Sequence, residues 1–137
     1  MPTNLQAAAR FIADHRLARA PLPALDALLR PLDERAAYAV QDCLHTLLEA
    51  QGLGAIAGYK IGCTTAVMQA FLNIPNPCGG GVFASTVQHR TGRFTHGDFL
   101  HVGVECEIVV LLAADLPAEG APYDRDKVAA AVGACAA

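Results

Sequence analysis

The run from Gly103 to Leu112 constrains the chain more than any other stretch. Its second half is a block of β-branched and aliphatic residues, the pattern of a buried strand. Its first half sets two carboxylates at i and i+2, and on a strand such side chains project from one face. Glu105 and Glu107 would then repel each other beside an apolar wall, and a divalent cation is the economical compensation. The alternative is a polar strand end at a sheet edge, with both carboxylates in water.

Around this run, helical and β-type patterns separate. Leu5, Ala8, Ala9 and Ile12 recur at helical spacing and predict a helix from Leu5 to Ala18. Pro23 opens a short helix through Leu29, which Pro31 ends. Asp33 caps a longer helix with Ala36, Val40, Leu44, Leu47 and Leu48 along one stripe and Gly52 just past its end. His45 lies off that stripe and reads as a surface residue.

From Gly54 onward, glycines and β-branched residues take over. Ala57–Ile61, Val82–Val87 and Phe99–Val102 read as strands, and Thr64 or Thr65 caps a short helix through Leu72 that Asn73 closes. Two prolines and three glycines between Ile74 and Gly81 argue against regular structure there. Asp124 caps a last helix with Val128, Ala131, Val132 and Cys135 on one side, running into the chain end with an open apolar face. The expected class is α+β: a helical region over residues 1–53, then a β-rich part over 54–137.

Composition narrows the function. At 137 residues the chain suits one domain, and 53% apolar against 17% charged residues excludes a disordered one. A net charge of −3 with no basic block makes nucleic acid an unsuitable partner. The apolar run Ile108–Ala114 is closed by Glu107 and Asp115, too short to cross a membrane. Met1–Arg16 reads as an amphipathic helix, not as a secretion signal. Five cysteines, odd in number and never spaced C-x-x-C, suit a reducing cytoplasm.

Four features are candidates for chemistry. Lys60 stands in an apolar strand between Gly58 and Gly62, where it either reaches water as an edge-strand lysine or holds an anion. Gly79, Gly80 and Gly81 could turn backbone N–H groups toward an anion, although no phosphate-loop motif follows. His89, His96, His101 and Cys78 fit no zinc spacing. Cys63 and Cys106 read as packing residues and Cys78 as a pocket wall.

Taken in order, Gly58–Thr64, Ile74–Pro77 with its glycines, and Val104–Ile108 resemble the 2-keto-4-pentenoate hydratase branch of the fumarylacetoacetate hydrolase superfamily. Ala37–Gln41 is similar to the segment that precedes the first of these motifs in that family. The resemblance spans nearly the whole chain but about the N-terminal half of the family pattern. It implies a mixed β-roll behind a helical N-terminal region, with Mg²⁺ or Mn²⁺ held by three acidic residues.

Two of those acidic residues correspond to Glu105 and Glu107. The third normally lies on the strand after the helix beginning near Asp124, expected here to fall beyond Ala137. Many relatives carry acidic residues where Asn76, Pro77 and Cys78 stand, and no His–Glu dyad of the hydrolases is visible.

The activity implied is that of a lyase adding water to a 2-hydroxy-2,4-dienoate in aromatic catabolism. Decarboxylation of an oxalocrotonate-like acid, or a non-catalytic chain, are the alternatives. Lys60 is the implied catalytic cation, its pKa lowered by burial and the metal, and Thr64, Cys78 and Gly79 are the substrate contacts. The open last helix implies a homo-oligomer.

Overall fold

The structure is a computed structural model that describes residues 4–137. It is mixed α+β, with four α-helices and two small antiparallel sheets among the described residues. The chain divides into two compact units, one ending at Leu100 and the other His101–Ala137. Among the described residues, no helix is long and apolar enough to cross a membrane.

In the first unit, α1 (Leu5–Leu17) and α2 (Glu34–Leu48) pack together. Asn4 caps α1 by accepting from the Ala7 amide at 3.1 Å, and Asp33 caps α2 by accepting from Ala36 at 2.7 Å. Each leaves one fewer orphan N–H at a helix start. Alanines let the two axes approach: Ala8 and Ala9 are buried against Val40, with Leu5, Ile12 and Leu44 around them. A π-helical turn, Glu49–Leu53, follows α2 and leaves the helix through Gly52 at φ 93°.

The expected helix from Pro23 to Leu29 is only a turn. Asp26 accepts from Leu29 and Arg30 through its carbonyl, and Pro31 follows before a second turn can form. So short a segment does not repay helix nucleation.

The strand β1 (Ile56–Gly62) pairs antiparallel with β2 (Cys78–Phe83). Thr65 caps α3 (Ala66–Leu72) between them, and Asn73 ends it in the left-handed region. The expectation of irregular chain up to Gly81 is corrected here. Cys78 and the three glycines are the first four residues of β2, opposite Gly62, Ile61, Lys60 and Tyr59. Prolines punctuate only the entry, and the pairing edge of β1 supplies partners that local composition does not reveal.

Phe83, buried with Ala13 and Leu48, fastens this sheet to both helices. The strand expected to continue to Val87 stops at Phe83 and turns through a 3₁₀ segment, Ala84–Thr86. There the Thr86 hydroxyl donates to the Phe83 carbonyl at 2.8 Å. Phe99–Val102, expected as a strand, is irregular, and no described strand lies beside it.

In the second unit, β3 (Val109–Leu112) pairs with β4 (Val132–Ala136) after α4 (Arg125–Ala131). Two expectations fail. The last helix does not run to Cys135: it stops at Ala131, and the next five residues become β4, because pairing with β3 outweighs the weak helix preference of a valine and a glycine. The central strand is also not buried, since all four residues of β3 are exposed.

Candidate functional site

A hollow of about 420 Å³ in the first unit lies between α2 and the segment joining α3 to β2. Ala37, Ile74, Pro75 and Cys78 give it apolar walls, while Glu34, Tyr38, Gln41 and Asn73 bring polar groups. That volume and mixture suit a small ligand fixed by a few polar contacts.

Its geometry rests on Gly79. The Gly79 amide donates to the Tyr38 hydroxyl at 3.0 Å, and Gln41 Nε2 donates to the Gly79 carbonyl at 3.1 Å. Tyr38 and Gln41 are one helical turn apart on α2, so one face of that helix grips both outward backbone groups of a single residue. Accepting from Gly79 leaves the Tyr38 hydroxyl its own hydrogen to donate. At the mouth, Asn76 Nδ2 donates to Glu34 Oε1 at 2.8 Å and ties the loop to the first turn of α2.

The glycines do not form an anion cradle of open N–H groups. The Gly79 amide is already engaged, and the run is a strand. Gly81 serves packing instead, since a Cβ there would stand 2.5 Å from Ile56 Cδ1 and about 3.0 Å from the His45 ring. His45 is correspondingly half-buried, edge-on to Phe83 with ring centroids 5.7 Å apart, and not the surface residue its position suggests.

Two thiols adjoin the hollow. Cys63 and Cys78 are half-buried and share a hydrogen bond, with their sulfurs 3.7 Å apart. Cys63 holds a left-handed backbone at φ 56°, which costs a non-glycine residue about 1–2 kcal/mol. Gln69 Nε2 donates to its carbonyl at 2.8 Å and helps fix it. The Cys63 thiol is pushed above its ordinary value by its hydrogen bond to Cys78, then by burial, then by charge on Cys78.

Of the residues singled out from sequence, Cys78 and Gly79 line the hollow, whereas Lys60 and Thr64 do not. Lys60 is exposed on β1 opposite Gly80, so the burial expected of it is missing. Thr64 is exposed just before the cap residue of α3. Cys106, read as a packing residue, is exposed.

Glu105 and Glu107 lie in the second unit, exposed and before β3 begins. The strand geometry that would aim both at one face does not extend to them, because β4 offers partners only for Val109–Leu112. Their apolar neighbours Val104 and Ile108, at 90% and 77% exposure, share the same solvent.

Among the described residues, no three His, Cys, Asp or Glu side chains gather to hold a metal ion. A hard dication takes about six or more oxygens, so two carboxylates leave the set incomplete. Glu34, Tyr38, Gln41 and Asn73 went unassigned in the sequence. Tyr38 and Gln41, polar at i and i+3 beside the buried stripe of α2, carried the one available signal. No protein-family pattern, curated protein or solved structure matches the chain.

Proposed function

We propose that the chain carries the substrate-holding part of a lyase of the 2-keto-4-pentenoate hydratase type, built on that family's β-roll and assembling as a homo-oligomer. Its reaction adds water to a 2-hydroxy-2,4-dienoate and yields a 4-hydroxy-2-oxo acid. One observation carries this reading. The α2 segment with Tyr38 and Gln41 and the segment with Cys78 and Gly79 line one hollow and are joined by direct hydrogen bonds, and Cys63 bonds to Cys78 in its wall. These are three of the four segments on which the resemblance rests.

In this reading the apolar walls exclude water from the diene, so that it enters at one carbon. The Tyr38 hydroxyl donates to an oxygen of the substrate, and Gln41 and Asn73 orient the polar end. Lys60 is the cation for the substrate carboxylate, with Thr64 adding a hydrogen bond. Glu105 and Glu107 would supply two ligands of Mg²⁺ or Mn²⁺, an ion whose chemistry is to polarise a carbonyl oxygen.

The test is to supply 2-hydroxypenta-2,4-dienoate with Mg²⁺ and follow loss of the dienol's ultraviolet absorbance. Glu105→Gln and Glu107→Gln should each abolish Mg²⁺-dependent turnover while leaving the circular dichroism spectrum unchanged. Full activity in either variant removes the metal assignment. Release of CO₂ from an oxalocrotonate-like acid without water addition would replace hydratase by decarboxylase. No calorimetric signal at millimolar Mg²⁺ would mark a non-catalytic chain.

A further inference from the structure

Five cysteines are free, but only Cys63 and Cys78 stand sulfur to sulfur. Cys78 faces Gly62 across the sheet, and Cys63 is the next residue along. A Cβ at position 62 would lie 3.6 Å from the Cys78 sulfur, which therefore passes over the bare face of Gly62 toward its partner. From 3.7 Å, side-chain rotation has less than two ångströms to close to the roughly 2.05 Å of a disulfide.

We propose that Cys63 and Cys78 are a redox-active dithiol, oxidised to a disulfide by a hydroperoxide, that locks the loop walling the hollow.

The chemistry balances. The Cys78 thiolate attacks one peroxide oxygen: an S–O bond forms, the O–O bond breaks, and the second oxygen leaves as alcohol or water after taking a proton. Cys63 sulfur then attacks the sulfenyl sulfur of Cys78. The S–S bond forms, the S–O bond breaks, and hydroxide leaves as water with the Cys63 proton. Two thiols are oxidised and one peroxide is reduced.

The roles follow from the site. Cys78 lines the hollow, where a hydroperoxide can enter, and Cys63 stands behind it, so first attack falls to Cys78. The bridge would close the segment carrying α3 and Asn73, Ile74 and Pro75, three residues that line both this hollow and a neighbouring one of about 430 Å³. Both ends of that wall would then be pinned, whatever the hollow binds. The inference does not depend on the hydratase reading, and its test uses no turnover.

Reduced, full-length protein is treated with a few equivalents of hydrogen peroxide, quenched with N-ethylmaleimide and mapped without reduction. Free thiols should fall from five to three per chain, with one linked peptide pair, Cys63 to Cys78. Cys63→Ser should leave a sulfenic acid at Cys78 that dimedone traps, and Cys78→Ser should abolish the linked pair. The wild-type map decides the matter even where a variant folds poorly. Bridges spread over Cys43, Cys106 and Cys135, or hyperoxidation of Cys78 with Cys63 still free, would overturn the proposal.

Discussion

A single absent methyl sets how closely α2 lies on β2. At Gly81 an added Cβ meets Ile56 Cδ1, which can swing aside, and the His45 ring, which is held edge-on by Phe83. Overpacking of this kind costs about 1–3 kcal/mol. Gly58, on the facing strand, has nothing within 4 Å of the same position. Urea unfolding should therefore show Gly81→Ala destabilised by that amount and Gly58→Ala neutral or slightly stabilised. Equal effects would refute the packing role.

Cys63 gives the same scale a pH dependence. Its folded-state pKa is raised, so the native protein holds this proton more tightly than the unfolded chain does. Its contribution is complete below the ordinary thiol value and is lost as pH rises through the raised one. The urea midpoint should fall as pH climbs into the alkaline range, and Cys78→Ala should shallow that fall by removing the leading cause of the shift.

Elements depend on one shared anchor. Leu48 from α2, Ala13 from α1 and Phe83 from β2 are buried together, with Leu48 at 0% and Phe83 at 1% exposure. Leu48→Ala opens a cavity at the junction of both helices and the sheet, and should cost about 2–5 kcal/mol in urea unfolding. Val110→Ala, on exposed β3, should stay within about 0.5 kcal/mol.

Legibility followed the range of the forces involved. Asp33, Thr65 and Asp124 cap their helices as their positions in the sequence imply, because a cap reaches only three residues along the chain. So do the exits at Gly52 and Asn73, where the backbone needs φ > 0. The strand from Cys78 to Gly81 was hidden, since its stability comes from β1 and from α2 side chains some forty residues away. The site was legible only in part: the polar i, i+3 spacing of Tyr38 and Gln41 set them beside the stripe of α2, but their partners are main-chain atoms of Gly79. Around Glu105 and Glu107 the alternating pattern promised a longer strand than the one that forms, which begins at Val109.

Across the whole chain, burial is unevenly shared. Six of the seven buried hydrophobic residues described belong to the first unit; Ala131 is the only one from His101 onward. An isolated two-stranded sheet is marginal in water without an apolar face to pack against. β3 and β4 have backbone pairing but no buried stripe, whereas α1, α2 and β2 converge on Phe83 and Leu48. Local opening is therefore cheapest in the second unit. Hydrogen exchange read by mass spectrometry at low protein concentration should show slow amides in α1, α2 and β1–β2, and fast ones through β3 and β4. Raising the concentration separates two causes. If copies of the chain cover Val109–Leu112, exchange there should slow while the first unit stays constant, as the homo-oligomer requires. Protection in β3 equal to that of α2 at every concentration would show that the second unit is stable without a partner, and would remove this argument for self-association.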